Sequence, residues 1–147
     1  MRKTFLLFIL LCVIAPQVAS AMPAADYNVV PLPQRVTLVE GESFMMESGM
    51  TVAYTEDNED MKRNAEFLCE YVSETTGVRL TPVAGKTKKG MRLVLDKKVK
   101  GDEAYTIVVD KKGITIAGST PRGVFYGVQT LRKSLPVGNA TRILMSA

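Results

Sequence analysis

The sequence predicts an α+β (mixed α/β) domain in which two helices pack on one face of a mostly antiparallel or mixed β-sheet. Two stretches of helical periodicity alternate with short β-branched runs, in the order strands, helix, strands, helix. The chain has 147 residues, of which 46% are hydrophobic and 23% charged, and a chain of this size buries one ordinary core. A (β/α)8 barrel needs about 250 residues and does not fit within it.

The first helix is predicted over Glu59 to Thr76. Its apolar residues recur at steps of four, three and four, namely Met61, Ala65, Leu68 and Val72. Asn58 is the expected N-cap and Gly77 the expected C-terminal stop. Glu59 and Asp60 fall in the first turn, where the helix dipole favours anions.

The second helix is expected to begin at Ser119 or Thr120, with Pro121 near its first position. The same apolar spacing recurs in Val124, Val128, Leu131 and Leu135. Gly123 and Gly127 also lie within this helix, although each glycine in a helix interior costs about 1 kcal/mol relative to alanine. Close contact between the helix and the sheet is the simplest reason for both glycines.

Short β-branched or alternating runs bounded by turn residues predict the strands. They cover Arg35 to Val39, Met50 to Tyr54, Arg79 to Val83, Met91 to Leu95, Ala104 to Asp110 and Gly113 to Ala117. The last two form a predicted hairpin, because Asp110-Lys111-Lys112-Gly113 suits a tight turn with Gly113 in the left-handed region. The predicted core comprises Leu68, Val72, Ile107, Val109, Ile114, Ile116, Val128 and Leu131.

Residues 1–21 have the order of a secretory signal peptide. Arg2 and Lys3 precede the apolar run Phe5 to Ala15, and the small-residue site Ala19-Ser20-Ala21 follows. We expect cleavage after Ala21 and export to the periplasm or beyond the cell, with no membrane attachment afterwards. Cleavage removes Cys12 and leaves Cys69 as the single thiol, which is either a buried hydrophobe or a reactive group, and burial is favoured.

Composition excludes several classes of chemistry. The chain contains no His and no Trp, which removes Ser-His-Asp and Cys-His catalysis and every His-ligated metal site. Without Arg2 and Lys3, 17 basic residues face 15 acidic ones, too small an excess to indicate nucleic-acid binding. The sequence therefore predicts no cofactor, no metal and no nucleic-acid partner.

Three stretches of the sequence resemble a known family. They are Tyr27-Asn28-Val29-Val30-Pro31-Leu32-Pro33-Gln34, Gly101-Asp102-Glu103-Ala104-Tyr105-Thr106-Ile107 and Gly123-Val124-Phe125-Tyr126-Gly127-Val128-Gln129-Thr130-Leu131-Arg132. Their residues and order resemble the N-terminal, non-catalytic domain of bacterial family 20 glycoside hydrolases, the β-N-acetylhexosaminidases. The resemblance runs from Tyr27 to Pro136, and the last stretch is the most specific.

The resemblance implies that catalysis belongs to a following (β/α)8 barrel. There an adjacent Asp-Glu pair acts on terminal N-acetylhexosamine residues: the Asp assists attack by the substrate's acetamido oxygen, and the Glu protonates the leaving oxygen. We therefore expect an accessory domain over residues 22–136 and a truncated linker over 137–147. The expected partner is the barrel, in cis or as a split protein, and the chain alone is expected to be inactive.

No residue of this chain is predicted to be catalytic. Asp102-Glu103 is an adjacent acidic pair, but the resemblance places it before a strand of the accessory domain, where an exposed turn explains it. The other candidates are the helix-entry acids Glu56-Asp57 and Glu59-Asp60, the basic loop Lys86 to Lys89, and the glycosylation-like Asn139-Ala140-Thr141. The acids are interpreted as helix-entry residues and the basic loop as solvated. The Asn139 motif is interpreted as an accidental match in the linker, because the resemblance is to a bacterial family.

Two functional classes remain open at this point. The first is an accessory domain of an exported hexosaminidase, and the second is a free-standing periplasmic module that binds a glycan or a protein. Sugar-binding faces usually display exposed aromatic rings. Tyr105, Phe125 and Tyr126 fall within regular elements, so few exposed rings are expected and the first class is favoured.

Overall fold

The computed structural model describes residues 23–30, 32–37, 39, 43–140 and 142–146. The predicted signal peptide, residues 1–21, lies outside them. Along the described chain the elements are β1 (Ser43–Glu47), β2 (Thr51–Tyr54), α1 (Glu59–Thr76), β3 (Thr81–Ala84), β4 (Gly90–Leu95), β5 (Tyr105–Asp110), β6 (Gly113–Gly118), α2 (Pro121–Ser134) and β7 (Arg142–Ser146). No helix in this part of the chain is long and apolar enough to cross a membrane.

Five strands form one mixed sheet in the order β3-β2-β4-β6-β5. β2 runs parallel to both β3 and β4, β4 runs parallel to β6, and β5 pairs antiparallel with β6. With two helices packed on it, this sheet confirms the predicted α+β class. β1 and β7 form a separate antiparallel pair.

The β5–β6 hairpin is confirmed together with its turn. The Asp110 carboxylate accepts hydrogen bonds from the backbone N–H of Lys112 at 2.7 Å and of Gly113 at 3.0 Å. Gly113 has a φ of +152°, a conformation that favours glycine. The aspartate and the glycine therefore fix the reversal between the two strands.

Both helices begin at predicted caps. The Asn58 side chain accepts from the backbone N–H of Met61 at 3.0 Å, and Thr120 Oγ1 accepts from that of Gly123 at 3.1 Å. α1 ends at Gly77, whose φ of +77° places it in the left-handed region. α2 ends without such a glycine, at Leu135 in extended conformation.

The two glycines of α2 allow the helix to approach the sheet closely. A Cβ added at Gly127 would collide with Cγ2 of Ile116 and lie 3.3 Å from Cδ2 of Tyr105. A Cβ added at Gly123 would collide with the backbone carbonyl oxygen of Ala104. The expectation that α2 needs these glycines for contact with the sheet is confirmed.

The core lies between the helices and one face of the five-stranded sheet. Strand register aligns Val52, Met91, Ile114 and Val109 in one row across β2, β4, β6 and β5, and all four are buried. Seven of the eight predicted core residues are buried. Ile107 is only partly buried against the cluster, because β5 is an edge strand.

Three features differ from the sequence prediction. Arg35, Val36, Thr37 and Val39 form no strand and are exposed, and Leu38 lies outside the described residues. β3 begins at Thr81 instead of Arg79. β1 and β7 were not predicted, and β7 falls inside residues 137–147, which the sequence analysis assigns to a linker.

The β1–β7 pair completes the core. Phe44 and Met46 of β1 and Ile143 and Met145 of β7 are all buried at 2% exposure or less. The pairing joins Phe44 to Met145 and Met46 to Ile143, residues separated by about a hundred positions. This part of the assigned linker is therefore a strand of the fold.

Candidate interaction surface

The outer side of the two helices carries a surface that we call the helix face, which comprises Phe67, Tyr71, Phe125, Tyr126 and Arg132. Phe125 is 37% exposed and Tyr126 40% exposed. Both lie away from the buried stripe of α2 formed by Val124, Val128 and Leu131. The described residues therefore leave more than a third of each side chain uncovered.

The four rings form a continuous row across both helices. Centroids lie 6.5 Å apart for Phe67 and Tyr71, 5.9 Å for Phe67 and Phe125, and 6.2 Å for Phe125 and Tyr126. Phe67 and Tyr71 meet because positions four apart share one side of a helix. The packing of α1 against α2 brings Phe125 beside Phe67. Such exposed apolar patches mark interaction sites.

Arg132 lies over the rings of α1. Its guanidinium carbon is 4.8 Å from the Tyr71 ring centroid and 5.8 Å from that of Phe67. A guanidinium within about 6 Å of a ring face is attracted to it electrostatically. The helix face therefore combines apolar rings with one positive charge, the residue types enriched in protein interfaces.

A groove of about 410 Å³ borders the helix face on the side of β5. It is lined by Val29, Glu103, Tyr105, Tyr126, Gln129, Thr130 and Lys133. Tyr105 and Thr130 share a hydrogen bond of 2.6 Å between their hydroxyls, and the Lys133 ammonium donates to the carbonyl oxygen of Val30. Several polar groups of the groove are thus already bonded within the chain.

The acidic pairs noted in the sequence do not converge on a site. Asp102 and Glu103 are exposed in a turn before β5, and a Glu103 carboxylate oxygen lies 3.8 Å from a guanidinium nitrogen of Arg122. Glu59 and Asp60 occupy the first turn of α1. Among the described residues, no group of His, Cys, Asp and Glu side chains is arranged to hold a metal ion.

Cys69 is buried, with 7% exposure, as predicted. Burial raises the pKa of its thiol to about 11, and the nearby negative charge of Glu66 adds to the rise. The thiol therefore stays protonated at neutral pH and is a poor nucleophile. The described residues thus offer a surface for binding on the outer side of the helices.

The helix face is not predicted from the sequence, where Phe125 and Tyr126 fall within a regular element and few exposed rings are expected. A signal was available, because neither residue belongs to the apolar stripe of α2. The proximity of Phe67 and Phe125 depends on helix packing, which a local pattern does not reveal.

Comparison with known proteins connects this fold to one family. The family model "Glycosyl hydrolase family 20, domain 2" matches residues 26–145. A beta-hexosaminidase of Porphyromonas gingivalis is 28% identical over 112 residues, which are 74% of this chain and 14% of that protein.

Two solved structures show the same similarity. The GH20 beta-N-acetylhexosaminidase of Streptomyces coelicolor A3(2) matches with a TM-score of 0.73 and 28% identity, over 86% of this chain and 26% of that one. The N-acetyl-beta-hexosaminidase of Streptomyces plicatus matches with a TM-score of 0.65 and 31% identity, over 74% of this chain and 21% of that one. This chain thus matches about a quarter or less of each of these relatives.

Proposed function

Because the chain belongs to glycosyl hydrolase family 20, through the family's domain 2, we propose that it is the accessory domain of an exported β-N-acetylhexosaminidase. In this proposal it packs by its helix face against a catalytic (β/α)8 barrel, in cis or as a split partner. The barrel removes terminal N-acetylhexosamine residues from glycans. The domain supports the barrel and supplies no reacting group.

The observation that carries this proposal is the row of exposed rings on the helix face. Phe125 and Tyr126 leave more than a third of their surface accessible, and the two rings adjoin Phe67 and Tyr71 in one patch. Burying apolar surface against a partner contributes roughly 25 cal/mol per Å². A neighbouring domain that covered this patch would therefore gain stability from it.

Coding DNA on both sides of these 147 codons, read in all frames, tests the proposal. We expect a catalytic domain with an adjacent Asp-Glu pair in the same gene or in a neighbouring one. A clean stop followed by an unrelated gene, with no such domain adjacent, would contradict it. The enzyme so identified should hydrolyse a chromogenic N-acetylglucosaminide.

The isolated chain should show no turnover of that substrate. General acid catalysis needs a carboxyl group whose pKa is raised in a shaped pocket, whereas Asp102 and Glu103 are exposed in a turn. Turnover that survives purification and disappears with Asp102→Asn or Glu103→Gln would contradict the accessory role. Contaminating hydrolase activity would be unaffected by either substitution.

Export is proposed from the order of residues 1–21. Basic residues, an apolar run and the Ala19-Ser20-Ala21 site follow one another as in a secretory signal. Mass spectrometry of the protein from the periplasmic fraction or the medium should give a chain that begins at Met22. A chain retained in the cytoplasm with residues 1–21 intact would contradict export.

A free-standing glycan-binding module is the second candidate. The groove beside Tyr126 favours it, because aromatic rings and polar side chains occur together there. Titration of the isotope-labelled chain with N-acetylglucosamine distinguishes the two candidates. Saturable shifts of the Gln129 and Thr130 amide signals would support the module, and unchanged signals would support the accessory domain.

A further inference from the structure

Arg132 is the least satisfied polar side chain of the helix face. Its Nε is buried and has no hydrogen-bond partner among the described residues. No hydrogen bond or ion pair joins its guanidinium to another residue in this part of the chain, and the guanidinium lies over the rings of Tyr71 and Phe67. A buried donor without an acceptor is destabilising, and more so when it is charged.

The other two arginines on the helices are paired. Arg63 forms an ion pair with Asp60 on the same helix, and Arg122 lies 3.8 Å from Glu103. The third cation of α2, Lys133, donates to the carbonyl oxygen of Val30. Because α2 itself contains no acidic residue, Arg132 is left with a positive charge that nothing on its own helix balances.

The rings hold the Arg132 guanidinium in a position from which it can bind a planar partner. With the guanidinium carbon 4.8 Å above Tyr71, the stacked side chain loses little further freedom when it binds. A carboxylate matches the fork of guanidinium N–H groups with two parallel hydrogen bonds, which are stronger than bonds between neutral groups. A neutral acceptor would leave the charge unbalanced.

We propose that the catalytic domain places an Asp or Glu carboxylate on Arg132, making this arginine the polar anchor of the interface. The inference rests on the proposed function, because it needs a partner that covers the helix face. Arg132 is then desolvated, lies over the rings at the Tyr71 end of the ring row and makes two hydrogen bonds to the carboxylate. Arginines in such settings carry a large share of interface energy.

The experiment compares the complete enzyme with the isolated chain, each carrying Arg132→Gln, Arg132→Lys or the control Arg122→Gln. Arg122 is on the same helix, is exposed and already has an acidic neighbour. We expect Arg132→Gln to lower the thermal midpoint of the enzyme by several degrees and to leave that of the isolated chain nearly unchanged. Arg132→Lys should be intermediate in the enzyme, because it keeps the charge but loses the fork, and the control should have little effect.

A crystal structure of the enzyme should then show a carboxylate oxygen within hydrogen-bond distance of the Arg132 guanidinium. Reversing both charges of that pair should recover part of the loss caused by Arg132→Glu alone. Equal destabilisation of the enzyme and the isolated chain by Arg132→Gln would reduce Arg132 to a structural role and overturn the inference, while the accessory function would stand. Independent unfolding of the two domains, or a helix face left open to solvent, would overturn the proposed function itself.

Discussion

The two outer surfaces of this domain differ in whether their arginine side chains have hydrogen-bond or ion-pair partners within the domain. On the far side of the sheet, Arg92 donates from Nε to Thr115 Oγ1 at 3.0 Å and lies 4.0 Å from an Asp110 carboxylate oxygen. On the helix face, the buried Nε of Arg132 has no acceptor in the part of the chain that the structure describes. One arginine thus has its partners within the domain, and the other has only rings beneath it.

The two surfaces also differ in the apolar side chains that they expose. The far side of the sheet, which we call the sheet face, carries Arg92, Thr106, Val108, Asp110 and Thr115 by strand alternation. None of these five residues is aromatic, and Val108 is the exposed apolar residue among them, at 54%. The difference indicates that the sheet face is suited to water and the helix face to a partner.

The largest loss of stability is expected from a substitution in the buried layer between the helices and the sheet. Leu131→Ala removes a side chain of α2 that is 1% exposed and should destabilise the isolated chain by about 2–5 kcal/mol, because it leaves a cavity. Urea unfolding measures this, with Val108→Thr on the sheet face as the control, expected within about 0.5 kcal/mol. A loss below about 0.5 kcal/mol for Leu131→Ala would mean that α2 is not packed as described.

The contact between α2 and the sheet is tested by Gly127→Leu. An added side chain collides with Ile116, so we expect destabilisation of about 1–3 kcal/mol by overpacking, despite better helix propensity. Urea unfolding again gives the free energy. In a double-mutant cycle of Gly127→Ala with Ile116→Ala, the pair should cost less than the sum of the single changes, and strict additivity would show that the two residues do not meet.

Stability at high pH tests whether the Cys69 thiol on α1 is shielded from water. Burial raises the pKa of the Cys69 thiol from 9.0 to about 11, so the unfolded chain loses this proton at lower pH than the folded one. The contribution of Cys69 is fully present below pH 9.0 and is lost as pH rises through about 11. Unfolding free energy should fall more steeply over this range in the wild type than in Cys69→Ala, and parallel curves would indicate a solvated thiol.

The smallest effect is expected on the helix face of the isolated chain. Tyr126→Ser removes a ring that is 40% exposed and should change the unfolding free energy of that chain by no more than about 1 kcal/mol. In the complete enzyme the same change should be clearly more destabilising, because the ring is then covered. Val108→Thr on the sheet face should leave the stability of both proteins unchanged. If Tyr126→Ser and Val108→Thr changed the stability of the complete enzyme equally, the distinction between the two faces would be wrong.

Local signals in the sequence determined the elements whose ends are fixed by short-range bonds. Asn58 and Gly77 bound α1 because one accepts an N–H three residues away and the other adopts a positive φ. Asp110 and Gly113 set the hairpin turn by the same kind of short-range contact. The family, too, was visible in contiguous residues, since the run from Gly123 to Arg132 lies within the matched segment.

Only the tertiary structure decided which distant segments meet. β1 and β7 pair across about a hundred residues, and no spacing rule connects Phe44 with Met145. The helix face has the same origin, because Phe67 reaches Phe125 only when α1 lies beside α2. In the sequence Arg92 and Arg132 each follow a large apolar residue, Met91 and Leu131 respectively. Strand register brings Thr115 and Asp110 to Arg92, whereas helix packing brings the rings of Tyr71 and Phe67 to Arg132.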